Sequence, residues 1–404
     1  MFLNKILSHN RDLLKNLEQQ LNQLPKNSSV AVGLSGGVDS SVTAKILLEM
    51  GVKVFGVFMR NWVEQDEDGK CSADLDYQDV VKISEKMGLP YYTIDLSREY
   101  QEKVFTTFLN EIKLGRTPNP DILCNKEIKF HYFWENVKKM GASALATGHY
   151  AKVFFDHSFD DSRLDWCLAK SLDQSKDQTY FLGQISRELL PRTLFPLGDL
   201  LKSEVRLLAN FWGLSNAKKK DSTGICFIGE RDFLPFIQKY IRESKGFFKD
   251  LSGKILGEHQ GSCFYTVGQR KGLGVGGPEG PWFVAYKHLL TNTIYLSNQL
   301  NHPSMLSDRF ALRNVNILKE SFGRDILQLK ISLNCVVKTR YRQLDQACQV
   351  FIGENGQLSV YLNKPIVGVV EGQYAVFYNN QGHCLGSAEI DTIRRPYWEN
   401  FAFS

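Results

Sequence analysis

The chain has 404 residues, 43% of them hydrophobic and 23% charged, and a formal net charge of +5. That length exceeds one ordinary core and predicts two or three domains of a globular protein. No run of about 18 apolar residues occurs, which excludes an apolar membrane-spanning helix, and so mild a net charge does not select a nucleic-acid partner on its own. The segment Met1 to Ser28 lacks the apolar core and cleavage site of a secretory signal and is not acid-free like a transit peptide. Ile6, Leu13, Leu14, Leu17 and Leu21 fall along one side of a short amphipathic helix there, and the protein reads as cytoplasmic. From Ser29 to His149, strand-like runs alternate with helical patterns. Val30–Leu34 precedes a helix over about Ser40 to Met50, and Lys53–Met59 precedes one over Ala73–Met87. Tyr91–Leu96 is followed by helices near Glu99–Leu114 and Lys126–Met140, and then by the strand Ala144–Thr147. This alternation predicts an α/β fold with a parallel sheet covered on both faces, whose ligands sit at the carboxyl ends of the strands.

The texture changes near Arg231. A helical piece, Asp232–Tyr240, gives way to Gly-rich segments through Gly280. After about Leu306 the alternating runs Gln328–Leu333, Cys335–Arg340, Gln349–Ile352, Leu358–Leu362 and Tyr374–Tyr378 predict an antiparallel barrel or sandwich. The expected boundaries are a leader helix over 1–28, a nucleotide-binding domain over 29–230, a small central domain over 231–305 and a β-barrel over 306–404.

The sharpest chemical signal is Ser35-Gly36-Gly37-Val38-Asp39-Ser40-Ser41, set between a strand and a helix. Glycines let the backbone approach a ligand closely, and a helix start offers unpaired N–H groups to an anion. A Walker loop would need Gly-Lys-Ser/Thr, and no lysine is present. The segment resembles instead the pyrophosphate-binding loop of enzymes that split ATP into AMP and pyrophosphate. In that pattern Asp39 serves the phosphates through Mg²⁺, because a bare carboxylate would repel them. Phe58-Met59, ending the second strand, is placed to lie against the adenine. Gly148, in Ala146-Thr147-Gly148-His149-Tyr150, lets the nucleotide come near the fourth strand.

Eight cysteines without a Cys-x-x-Cys pair form no secreted disulfide framework and give little support to a zinc knuckle or iron–sulfur cluster. Two have distinctive surroundings. Cys124 ends Thr117-Pro118-Asn119-Pro120-Asp121-Ile122-Leu123-Cys124 near a helix N-terminus, where the dipole favours a thiolate; Asp121, one turn earlier, is positioned to take a proton. Taken alone, Cys124 reads more readily as a buried, inert thiol after a rigid turn. Cys226 lies in a Gly-containing loop beside Lys218-Lys219-Lys220, whose charges lower a thiol's pKa and suit an anionic substrate. Cys71, Cys167, Cys263, Cys335, Cys348 and Cys384 lack such neighbours and are taken as structural.

The loop at Ser35, Thr117–Lys126, Lys176-Asp177-Gln178, Ala217–Glu230, Tyr265-Thr266-Val267-Gly268-Gln269-Arg270-Lys271-Gly272 and Lys338-Thr339-Arg340-Tyr341-Arg342 occur in one order. Together they resemble the bacterial tRNA-specific 2-thiouridylases, over nearly the whole chain from about Val30 to beyond Gly386. The resemblance implies an adenine-nucleotide α-hydrolase-like domain, a small central domain and a C-terminal β-barrel. It implies ATP bound by Gly33, Leu34, Ser35, Gly36, Gly37, Val38, Asp39, Ser40, Met59 and Gly148. It makes Cys226 the carrier of a persulfide and Cys124 its partner nucleophile, ending in a Cys124–Cys226 disulfide, with Asp121 catalytic. Asn119, Pro120 and Asp121 would hold the target base, and Lys176, Asp177, Gln178, Arg340 and Tyr341 would contact tRNA. The implied partners are the tRNAs for lysine, glutamate and glutamine, and a sulfur donor such as a cysteine desulfurase or a relay protein.

The chemistry fits these parts. The 2-oxygen of uridine is a very poor leaving group until AMP is transferred onto it, and the carbon then needs a soft sulfur nucleophile. An amidotransferase-type synthetase using the same loop would need ammonia from a glutaminase, and the stretch before Ser29 holds no cysteine. A non-catalytic tRNA-binding protein would not need Asp39, Cys124 and Cys226.

Overall fold

The computed structural model describes residues 11–62, 72–156, 165–221, 232–277, 279–353 and 356–399. In chain order, α1 (Arg11–Asn22) leads to β1 (Ser29–Leu34), α2 (Val38–Glu49), β2 (Lys53–Arg60), α3 (Ser72–Met87) and β3 (Tyr91–Asp95). Then come α4 (Ser97–Tyr100), a π-helical stretch over Gln101–Phe105 and α5 (Thr106–Lys113). The helix α6 (Pro120–Leu123) runs into a second π-helical stretch, Cys124–Phe133, and on into α7 (Trp134–Lys139). β4 (Ala142–Ala146), the hairpin β5 (Lys152–Asp156) and β6 (Asp165–Ala169), α8 (Thr179–Leu182), β7 (Thr193–Leu194) and α9 (Lys202–Phe211) follow.

The chain divides into two compact units. One comprises residues 1–104, 121–229 and 381–384; the other comprises 105–120, 230–380 and 385–404. The first is built on a parallel sheet of order β3-β2-β1-β4-β7. β1 and β2 alternate little between apolar and polar because helices cover both faces of the sheet, and Val30, Ala31, Val32 and Val57 are wholly buried. The strand order reverses between β1 and β4, and that switch point opens the crevice where such sheets bind ligands. The α1 residue Leu17 joins the same core, and Asn16 and Gln20 donate from the helix to the Val153 carbonyl of β5.

The second unit holds α10 (Phe233–Gln238), a four-stranded sheet of order β10-β11-β8-β9 and a closed barrel. The small sheet is β8 (Gly246–Asp250), β9 (Ile255–His259), β10 (Phe283–His288) and β11 (Thr293–Ser297). The barrel closes in the order β12-β15-β14-β13-β16-β17, from β12 (Leu306–Ile317), β13 (Leu333–Lys338), β14 (Gln346–Ile352), β15 (Leu358–Val367), β16 (Tyr374–Tyr378) and β17 (Cys384–Arg394). Its interior is filled by Phe310, Val337, Val350, Val360, Phe377 and Ile390.

Two expectations are corrected. The run Gln328–Leu333 is not a strand: a π-helical turn, Arg324–Gln328, occupies its start, and Lys330 adopts a left-handed φ of 54° that no strand accommodates. The helix expected from Lys126 begins at Pro120, because a proline at the first helical position loses no hydrogen bond.

Candidate active site

The loop after β1 is shaped by glycine and serine. Gly36 has φ +71°, and a Cβ there would lie 2.6 Å from the Asp76 carbonyl oxygen, so only glycine fits. Gly37 precedes α2, and its carbonyl accepts from the hydroxyls of Ser40 (3.1 Å) and Ser41 (2.8 Å). Ser40 Oγ in turn accepts the Ser35 N–H at 3.2 Å, and Asn216 Nδ2 donates to the Gly36 carbonyl (3.0 Å) and to Ser41 Oγ (2.9 Å). The result is a braced loop at a helix N-terminus, the kind of place where backbone amides meet an anion.

Gly148, at the end of β4, is also required by packing: a Cβ there would come within 2.8 Å of the Asp39 carbonyl carbon and the Ser40 nitrogen. Its close approach is thus to the start of α2. Phe58 is buried in the core against Tyr77, while Met59 is half-buried at the end of β2.

The electrostatics centre on a residue that sequence reasoning missed. Lys202 Nζ lies 2.7 Å from both carboxylate oxygens of Asp39 and 2.9 Å from Asp221 Oδ1. Tyr150 donates its hydroxyl to Asp39 Oδ1 at 3.0 Å. Asp221 also receives Lys176 and Arg206, each at 2.8 Å. Burial would raise the Asp221 pKa, but the bonds from Lys176 and Lys202 outweigh it and hold the carboxyl at about 2. Burial and the neighbouring Asp39 charge push the Tyr150 phenol well up, so it stays a hydrogen-bond donor. Lys202 opens α9, where the macrodipole disfavours a cation, and the Asp39 and Asp221 carboxylates offset that. A metal on Asp39 does not fit this arrangement unless Lys202 first gives up both oxygens.

Lys219, one of three consecutive lysines, is likewise committed. It pairs with Asp76 (2.8 Å) and Asp79 (2.7 Å) on α3, whereas Lys218 and Lys220 are exposed.

Cys124 opens the π-helical stretch and is 1% exposed. The nearby Asp121 carboxyl is raised by burial, with Lys129 opposing. His149 is pushed far below its ordinary value by burial, with Lys129 adding to this, so it is a neutral imidazole; its Nδ1 lies 2.7 Å from the Thr147 hydroxyl. Cys226 lies outside the described residues.

The pattern of a family described as tRNA methyl transferase HUP domain matches residues 28–230; patterns described as tRNA methyl transferase PRC-barrel domain and aminomethyltransferase β-barrel domain match 235–298 and 307–390. The tRNA-specific 2-thiouridylase MnmA of Staphylococcus epidermidis is 45% identical over 91% of this chain and 96% of its own length. That of Listeria monocytogenes serotype 4a is 45% identical over 92% and 96%. The chain belongs to the tRNA-specific 2-thiouridylase family. Among solved structures, the U34-tRNA thiolase NcsA of Methanococcus maripaludis is 21% identical, with a TM-score of 0.34 over 57% of this chain and 70% of that one.

The other positions that the resemblance assigned in this thiouridylase are held in specific ways. Asp177 is buried and accepts from the Ser171 N–H (3.1 Å) and the Thr179 hydroxyl (2.8 Å). Gln178 clasps the Tyr150 backbone, accepting its N–H at 2.9 Å and donating its own to the Tyr150 carbonyl at 2.8 Å. Gln178 therefore fixes the backbone of Tyr150, whose hydroxyl reaches Asp39. In the second unit, Arg340 donates to the carbonyls of Gly368 (2.9 Å) and Val267 (2.8 Å), and Tyr341 beside it is half-buried. Asn119 Nδ2 donates to Gln373 Oε1 (3.3 Å), Gln373 donates to the Thr117 carbonyl (3.0 Å), and Pro120 is buried. The chain passes from the second unit to the first between Pro120 and Asp121.

Proposed function

We propose that this tRNA sulfurtransferase converts a wobble uridine to 2-thiouridine by adenylating its 2-oxygen and delivering sulfur from a cysteine persulfide. The observation that carries the reading is the braced Ser35–Ser41 loop with Lys202 and Tyr150 converging on Asp39, at the switch point of the sheet. ATP lays its phosphates against the α2 N-terminus, and Lys202 turns from Asp39 to meet the charge that develops on them. Mg²⁺ accompanying ATP would supply counter-charge to its phosphates. The uridine 2-oxygen attacks the α-phosphorus and pyrophosphate leaves.

The terminal sulfur of a Cys226 persulfide then attacks C2 and AMP departs. Cys124 attacks Cys226 Sγ, which breaks the sulfur–sulfur bond, leaves 2-thiouridine and forms a Cys124–Cys226 disulfide. Two electrons from the thiol pair thus reduce the transferred sulfur, and an external dithiol restores the pair. Asp121, its carboxyl raised by burial, moves a proton at the target base. Asn119, Pro120 and Asp121 hold that base, while Lys176, Asp177, Gln178, Arg340 and Tyr341 contact the tRNA. The substrates are the tRNAs for lysine, glutamate and glutamine, and the sulfur comes from a cysteine desulfurase directly or through a relay protein.

The test is nucleoside mass spectrometry of tRNA incubated with enzyme, ATP and a sulfur source. 2-Thiouridine should accumulate with stoichiometric AMP and pyrophosphate. Release of ADP and phosphate, or ATP cleavage that ignores tRNA, would overturn the reading.

A further inference from the structure

The β5–β6 hairpin carries a second cluster of reactive side chains that the thiolation chemistry does not use. Phe154 pairs with Cys167 and Asp156 with Asp165 across this antiparallel ladder. Side chains alternate along a strand and cross-strand partners share a face, so Phe154, Asp156 and Cys167 lie on one face of the hairpin. The other face is apolar and buried at Val153 and Leu168. The turn of residues 381–384 completes the cluster within the same compact unit. Gly382, at φ +81°, accepts the Lys170 N–H at 3.0 Å, and His383 forms a backbone bridge with Ala169. The His383 ring meets Phe154 edge-on at 5.0 Å between centroids. Its imidazole nitrogen, the Cys167 sulfur and an Asp156 oxygen then all fall within 4.8 Å of one another.

We propose that Asp156, Cys167 and His383 bind a zinc-class divalent cation. A thiolate, an imidazole and a carboxylate are the three donor types that zinc accepts, at about 2.3, 2.0–2.1 and 2.0–2.2 Å respectively. Tetrahedral geometry with those bonds separates a sulfur from an oxygen by about 3.6 Å, and Cys167 Sγ stands 3.8 Å from Asp156 Oδ2. The three ligands come from three separate strands or turns, so little rearrangement is needed to close on an ion, and water takes the fourth position. Cys167 is 2% exposed while the other two are half-buried, which leaves one open side for entry. Among the described residues this is the one group of three such side chains. The ion ties the hairpin to the 381–384 turn, a structural clip in the nucleotide-binding unit that stands independently of the thiolation reading.

Cobalt(II) reports such a site directly. Chelator-stripped full-length enzyme titrated with Co²⁺ should bind one equivalent, with a thiolate-to-cobalt charge-transfer band and the intense visible bands of tetrahedral coordination. Cys226→Ser should keep both signals, Cys167→Ser should lose the charge-transfer band, and His383→Gln and Asp156→Asn should each weaken binding at least about tenfold. Zn²⁺ should raise the melting temperature of the stripped wild type and not that of His383→Gln. Should Cys167→Ser misfold by circular dichroism, the two half-buried variants decide. No cobalt band in the wild type, or a band indifferent to Cys167, His383 and Asp156, means the trio is held by hydrogen bonds alone and overturns the site.

Discussion

Lys202 is placed against the field of its own helix, and two carboxylates, Asp39 and Asp221, keep it there. Lys202→Met should therefore remove the cation offered to the phosphates and lower tRNA-dependent ATP cleavage about 100-fold or more, read as pyrophosphate release; a rate within a few-fold of wild type would end that role. Gly36→Ala forces a left-handed φ on a residue with a Cβ, costing about 1–2 kcal/mol, and drives that Cβ into Asp76. Lower ATP affinity with a modest fall in melting temperature is expected, and unchanged ATP binding would show that the loop has slack. Asp121 gives a prediction in pH. Its folded pKa is raised by burial, so the native state binds its proton more tightly than the unfolded chain does. That stabilisation is complete below the ordinary carboxylate pKa and is lost as pH rises through the raised value. Asp121→Asn should then melt higher than wild type at pH 7, with the gap closing as pH falls towards 4; a pH-independent gap would refute the burial argument.

At the scale of elements, Cys124 at the start of the π-helical stretch Cys124–Phe133 is buried, so the proposed reaction with Cys226 would require the start of that segment to move. Cys226→Ser should accept no persulfide yet still adenylate tRNA. Cys124→Ser should load sulfur on Cys226 and fail to release 2-thiouridine. Near-normal thiolation by either variant in the nucleoside assay would break the mechanism.

Elements also show what the sequence could reveal. The strands β1 to β4 are legible because apolar runs alternate with helical periodicity, and the braced turn between β1 and α2 because its glycines and serines are contiguous. β7, two residues long, and the hairpin β5–β6 left no comparable pattern. β12 and β17 are not legible in the sequence because long barrel strands with bulges lose their alternation. Lys202, Tyr150 and Asn216 join the loop only through tertiary contacts, so spacing could not reveal them.

Over the whole molecule, tRNA affinity should be electrostatic in large part, and the structure narrows which lysines supply it. Lys219 is engaged by Asp76 and Asp79, leaving Lys218 and Lys220 as the exposed pair. Replacing both with alanine should weaken tRNA binding across sequences and reduce the log–log salt slope by up to about 2; an unchanged slope would make them a solvated face. Neither compact unit is a continuous stretch of chain: residues 105–120 belong with the second, and residues 381–384 with the first. This has a consequence for synthesis on the ribosome. The nucleotide-binding unit must wait for its last four residues until translation is almost finished, while residues 105–120 emerge long before the strands that hold them. A polypeptide stopped near residue 230 would carry that segment without its partners and lack the 381–384 turn, so it should melt less cooperatively than the full chain.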